Sequence, residues 1–376
     1  MKKLFCAISL LTLAMGFAAC SNENEEMKPE EAANLEYSGK YAASWANYSR
    51  NVAYLLKKDA QTLSDEWTNG FAQQFKSGKF SGSYNESVQQ ILDGCIDIAN
   101  EVGTAKIGEP YDYYMDGKTT QALYAVESWY SWHSRDDYSN NIKSVANSLA
   151  GMRLRVSPAS FKVTEASANS LLNYAPVHEK ATEVWQLVVK AWIAIQDIPQ
   201  PFRNNIGCKE TEAAMEACEN LTKGLEGLKA LIAGKAGEEE LRPIVEQYVD
   251  DVVLPTYAEL ARRNAALYDT VVALGENPSD QAFATACQAW LSAREPWETS
   301  EAFLFGPVDE MGLDPNMDSW PLDQVAITNI LTSGNYDALN WSDDDDDDSI
   351  EAAQALRGFH TLEYLLFMDG KPRTVK

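Results

Sequence analysis

Apolar side chains return along this chain at alternating steps of four and three, and that spacing constrains the fold more than any other feature. It places them on one face of an α-helix. Tyr41, Trp45, Tyr48, Val52 and Leu55 make one such stripe, and Val88, Ile91, Cys95, Ile98 and Val102 a second. A third runs from Val177 to Ile198 and stops at Pro199 and Pro201, and Cys218 to Ile232 holds a fourth. A fifth, Tyr257 to Leu274, follows Pro255, which lacks an amide donor and should kink or restart the helix. Two more run Phe283, Cys287, Trp290, Arg294, Trp297, Glu301 and Ala353, Leu356, His360, Glu363, Phe367. Strand-like alternation is confined to Met152, Leu154 and Val156, too short to build a sheet. The predicted class is all-α, with two packed helical bundles.

Composition narrows the function. With 45% hydrophobic and 23% charged residues the chain can bury one large core or two ordinary ones. Lys plus Arg number 31 against 56 Asp plus Glu, a net charge of -25 that repels phosphate backbones, so nucleic acid is excluded as a partner.

The N-terminus reads as an address. Lys2 and Lys3, an apolar run from Leu4 to Leu13 and small residues ending at Ala18 and Ala19 make an export signal over residues 1–19. Small residues directly before Cys20 resemble a bacterial lipobox, although Phe17 departs from the usual aliphatic position. Cys20 is then the lipidated first residue of the mature protein, and the acidic stretch 20–36 its tether to the membrane. An ordinary cleaved signal with a chance cysteine is the alternative. Cys95, Cys208, Cys218 and Cys287 remain for the fold, too scattered for a disulfide framework or a zinc knuckle.

Order is expected from Tyr37, with one bundle over 37–235 and a second over 236–376, divided near the sequence GKAGEEE. Gly103 to Lys118, Ser131 to Asn141 and Gly306 to Asp323 read as long loops, where sites often sit. Asp343 to Asp348 lacks the turn glycine and spaced oxygens of a calcium loop and reads as a mobile solvated segment.

The chemistry concentrates near the C-terminus. The segment from Gly358 to Phe367 is apolar on nearly every face, so its helix is buried all round, yet it carries His360 and Glu363 three residues apart on one surface. A buried carboxylate needs a cation, a donor or a proton. Arg294, with Glu298 and Glu301 following on the same side of its helix, offers the partner from elsewhere in the chain. Such a cluster can be a buried ion network that only fixes helix register. It can also be a metal site, because imidazole and carboxylate together suit iron or zinc; His360 and Glu363 are the candidate ligands, with further ones from another helix or loop.

The pattern Gly358, His360, Glu363 followed by Tyr364, Leu365 and Leu366 resembles the GxHxxE signature of the imelysin family, bacterial envelope proteins also grouped as peptidase M75 and as iron-regulated proteins. Arg294, Trp297, Glu298, Glu301 and Phe303 resemble that family's Arg, Trp, Glu helix, and Trp320, Pro321 and Asp323 its Trp-Pro turn. Glu127, Ser128, Ser131, Ser134, Asp137 and Asn141 resemble a further family segment, and Pro199, Pro201 and Phe202 a Pro-Phe element. The two portions stand in reversed order here, as in a circular permutation.

The resemblance implies a two-bundle protein with a site lined by His360, Glu363, Arg294, Glu298 and Glu301, joined by Glu127, Ser131, Ser134 and Asp137 from the other half. Ser134 and Asp137 also read as a capping box, Glu127 as a local pair, and Trp297 and Trp320 as packing residues. The chain has no HExxH, and His133 and His178 stand near nothing that would rebuild it; no GxSxG elbow or phosphate loop is present either. A binding protein is therefore expected over a hydrolase: an envelope lipoprotein that takes up iron or a metal-containing ligand, working with a transport partner. M75 peptidase activity and a glycan-binding or scaffold role are the alternatives.

Overall fold

The computed structural model describes residues 28–235, 237–342 and 345–375. The described residues are all-α apart from a two-stranded hairpin, Phe367–Met368 against Lys371–Pro372. Eight helices close into two rings of four. Tyr84–Glu101, Ser134–Ala150, His178–Asp197 and Lys209–Lys235 form the first, each packing against two others. Ala42–Glu66, Leu254–Glu276, Asp280–Glu298 and Gly358–Leu366 form the second. Four amphipathic helices are what it takes to surround one apolar centre, and the stripes read from the sequence line both. None of the described helices is long and apolar enough to cross a membrane.

Local signals set the helix ends. Ser83 and Ser279 cap their helices by accepting from the amides of Glu86 and Ala282, at 3.1 Å in both cases. Gly151, at φ 63°, ends the Ser134–Ala150 helix in the left-handed conformation. Pro255 sits in the first turn of its helix, immediately after a wide π-turn over Val249–Val253, so the chain restarts where the missing amide required it. A second π-turn, Val102–Lys106, ends the Tyr84–Glu101 helix.

Several expectations need correction. Ala42–Glu66 from the first half lies along Leu254–Glu276 from the second, so the division at 235/236 cuts across the packing. Order begins before Tyr37: Pro29–Ala33 is a short helix whose buried Ala32 carbonyl accepts from Tyr364 Oη at 2.6 Å, so the second half of the expected tether is docked on the core. Residues 1–19, Cys20 and the first part of that tether lie outside the described residues.

The supposed loops also carry structure. Gly108–Met115 is helical, the helix from Ser134 occupies most of 131–141, and Pro307–Glu310 and Leu313–Asp318 are short helices within 306–323. Of the acidic run, Asp346 caps the helix Asp347–Gln354 through the Ser349 amide, while 343 and 344 lie outside the described residues. Cys95, Cys218 and Cys287 are buried free thiols and Cys208 is a half-buried one.

The last apolar stripe is broken in two. Asp347–Gln354 ends, three residues intervene, and Gly358–Leu366 starts in a new direction. Gly358 makes the turn at φ 88°, and a Cβ there would lie 2.5 Å from the Met317 carbonyl oxygen, so both the dihedral and the close approach require glycine. The helix that follows is sealed into the second ring by side-chain bonds to its carbonyls: Trp45 Nε1 donates to Leu365 and Trp290 Nε1 to Phe359, each at 2.9 Å. Gly358→Ala is expected to destabilise the fold by about 1–3 kcal/mol from the dihedral alone, with the Met317 contact adding to it. A denaturant midpoint unchanged from that of the unaltered protein would contradict this.

Candidate functional site

The charged residues meet at the seam between the two rings. Arg294 on the Asp280–Glu298 helix and His360 on the Gly358–Leu366 helix are both fully buried. The guanidinium is enclosed by acids from four segments. Nη2 lies 2.6 Å from Glu127 Oε1 and 2.6 Å from Glu298 Oε1, Nε lies 3.3 Å from Asp137 Oδ2, and Nη1 bonds Asp318 Oδ1. The Arg294 plane also sits 5.3 Å from the Phe359 ring centroid.

His360 shares that set. Its Nε2 is 3.1 Å from Asp318 Oδ1, 3.2 Å from Glu127 Oε1 and 3.3 Å from Arg294 Nη2. Its Nδ1 faces Glu363 Oε2 at 3.2 Å. The other oxygen of Glu363 accepts both the amide and the hydroxyl of Ser131, each at 2.7 Å. The pair expected to share a metal is thus divided: Glu363 is committed to Ser131 on one oxygen and to the far side of the imidazole on the other. Glu127 Oε1, Asp318 Oδ1 and His360 Nε2 instead converge, with one ligand atom from each lying within 4.8 Å of the others.

The first ring contributes through a strained connection. Ser128 and Trp132 hold positive φ values of 51° and 60°. Ser128 Oγ donates to Asp137 Oδ2 at 2.6 Å, and Ser134 Oγ to the Glu127 carbonyl at 2.5 Å. The capping-box alternative does not hold, because the helix is preceded by His133 with no side-chain cap, and Ser134 and Asp137 turn to different partners. Ser134 shapes the backbone under Glu127 and does not face the imidazole. Glu127 makes no local pair; its second oxygen takes Lys106 Nζ at 3.0 Å.

Glu298 Oε2 accepts from Asn141 Nδ2 at 2.6 Å. Glu301 lies beyond the helix end, in a turn held between the rings by the Ala302 amide, which donates to Ser144 Oγ at 3.1 Å. Trp297 Nε1 donates to Asp318 Oδ2 at 2.6 Å, and the Trp320 ring meets His360 edge-on at 4.9 Å. Those tryptophans pack, as expected, but they also aim the acid and cover the imidazole. His133 stands 3.7 Å from Asp137 Oδ1, and His178 is tied to the Leu172 carbonyl, away from the cluster.

Sequence reading missed two members, Asp318 and Lys106. Asp318 lies two residues before the Trp-Pro turn, and Lys106 closes the π-turn Val102–Lys106. Neither belongs to a stripe.

Burial acts on every carboxyl here, and the neighbours decide the outcome. It works to raise Glu127 and Asp318, but Lys106, Arg294 and His360 overcome it for the first, and Arg294 with His360 for the second, so both fall below the usual carboxylate range. For Glu298 and Glu301 burial wins, aided by the other acids, and both rise well above it despite Arg294 and Lys106. Burial and Arg294 depress His360, yet Asp318 and Glu127 raise it well above the ordinary imidazole value. One cluster thus holds carboxyls shifted in opposite directions side by side.

A two-bundle helical protein with a buried His, Arg and acid cluster at the seam is the class that fold and site define. The family pattern described as imelysin, peptidase M75, matches residues 26–232 and 253–376, and the chain belongs to that family. A crystal structure of an imelysin peptidase from Bacteroides ovatus is 51% identical, with a TM-score of 0.87, covering 92% of this chain and 100% of that one. Iron-regulated protein A of Synechococcus elongatus is 33% identical over 129 residues, 34% of this chain and 32% of that protein's length, so the match spans only a minor part of that relative.

Removing Arg294 strands several acids in a dry seam. Arg294→Met is expected to lower stability by about 3–5 kcal/mol. Arg294→Lys should recover little, because one ammonium cannot reach the four acids that the planar fork bridges. Urea unfolding of the two variants checks this, and a lysine variant as stable as the parent would count against the bridging role.

Proposed function

We propose that this imelysin is an exported envelope protein that binds a metal cation, iron foremost, at the seam between its two rings. The observation that carries the reading is the convergence of His360 Nε2 with Glu127 Oε1 and Asp318 Oδ1, one imidazole nitrogen and two carboxylate oxygens within 4.8 Å. That donor set suits iron or zinc and leaves coordination positions for a further ligand. Arg294 bonds the same carboxylate oxygens and offsets part of their charge, so it holds the donors together when no metal is present and leaves their remaining lone pairs to one when it binds.

Glu363 fills the outer position typical of metal-binding histidines. With its carboxylate fixed by Ser131 and facing Nδ1, it sets the imidazole's rotation and directs Nε2 at the acids. Ser131 and Ser134 act at one remove, the first through Glu363 and the second through the backbone of Glu127. The name of the Synechococcus elongatus relative, iron-regulated protein A, supports iron as the cargo. Anchoring through a lipid at Cys20 and delivery to a membrane transport partner complete the reading, both resting on the N-terminal sequence.

Titration calorimetry with Fe(II) and Zn(II) tests it. Binding should vanish when His360→Ala is combined with Glu127→Gln, and Ser131→Ala should weaken it about ten- to a hundredfold by loosening Glu363. An isotherm that survives the double substitution would sink the proposal. The second reading is peptidase activity, favoured by the description of the Bacteroides ovatus structure as an imelysin peptidase. Proteolysis that disappears in His360→Ala, with no metal taken up by the parent protein, would favour it instead.

A further inference from the structure

A second group of acids lies against the first and shares one member with it. Carboxylate oxygens of Glu298, Glu301 and Asp318 come within 4.8 Å of one another, and Asp318 is also a member of the His360 set. Glu301 is the informative residue. It is only 7% exposed, lies among these oxygens, and makes no hydrogen bond or ion pair with any described residue. The chain takes some trouble to place it there. Gly94 lets the turn Glu301–Phe303 press against the Tyr84–Glu101 helix, since a Cβ at Gly94 would lie 2.1 Å from the Ala302 carbonyl oxygen, and Ser144 anchors the Ala302 amide. The Lys106 charge acts on Glu301 without a close ion pair, and a buried carboxyl that accepts no direct hydrogen bond is costly unless a proton or a cation joins it.

We infer that the seam holds two cation positions bridged by Asp318: one on His360, Glu127 and Asp318, the other on Glu298, Glu301 and Asp318. The first position rests on the reading given under Proposed function; the second adds an all-oxygen site for a hard divalent ion, of the kind carboxylates alone select. Asp318 can serve both because a carboxylate offers about four lone-pair directions, and Trp297 fixes its orientation from behind.

Manganese(II) is the probe, because its resonance spectrum distinguishes an isolated ion from a coupled pair. The full chain, freed of metal and titrated with Mn(II), is expected to retain two ions after desalting and to give a spin-coupled spectrum. Glu301→Gln, nearly identical in shape and without the charge, is expected to retain one ion with an isolated six-line spectrum, and Glu298→Gln the same. His360→Ala should keep the ion on Glu298 and Glu301 and lose the other. Circular dichroism confirms that each variant is folded, and the stoichiometry of the parent protein stands independently of all of them.

One ion per parent chain, unchanged by Glu301→Gln, would overturn the second position and leave the first standing. Two ions that never couple, or that both survive Glu301→Gln, would overturn the bridge. No retained ion at all would overturn both positions, and with them the reading on which the first depends.

Discussion

The Arg294 guanidinium, buried at the seam of two helical rings, is the interaction on which the rest of the site depends. Isolated, a cation in that position would be untenable, and so would each of the acids around it. Together they form a network in which Glu127 and Asp137 come from one side of the seam and Glu298 and Asp318 from the other. Because the acids arrive on segments far apart in the chain, the network can form only when both rings have closed and met. It therefore acts as a registration device as well as a charge reservoir, and His360 takes its surroundings ready-made.

The apolar parts of the fold are arranged to present this cluster. The Gly358–Leu366 helix is buried on every side, with tryptophan side chains from two neighbouring helices bonded to its carbonyls. Its imidazole cannot swing toward solvent. Gly358 explains the first letter of the motif in steric terms, since the chain must turn sharply against the Met317 backbone before the histidine can point at the seam. On the opposite side, positive φ values at Ser128 and Trp132 place the Glu127 carboxylate and the Ser131 donors on a connection that no regular helix would deliver.

Much of this was legible from residue spacing alone. The seven apolar stripes mark seven of the eight ring helices, because burying one face of a helix imposes its own period on the sequence; Ser134–Ala150 reads in part as a loop, since its buried face carries Ser, Asn and Asp among the apolar residues. His360, Glu363 and Arg294 stood out because charged groups on such a face demand an explanation. Asp318 and Lys106 did not stand out. They sit in a short helix after a glycine-rich turn and at the end of a π-turn, where no period marks which way a side chain points. The short helices within the expected loops were missed for the same reason: a turn or two of helix carries too few apolar positions to register. The last stripe misled in the other direction, since apolar spacing continues across the break before Gly358 while the backbone does not.

The sequence by itself determined that the chain is helical, acidic and built around an inward-facing histidine, arginine and glutamate, because those properties follow from local spacing and from the cost of burying charge. Only the tertiary structure decided which helices share a ring, that Ala42–Glu66 joins the later half of the chain, and which oxygen faces which nitrogen of His360. Those choices are made by packing between residues hundreds of positions apart, and a one-dimensional pattern holds no record of such distances.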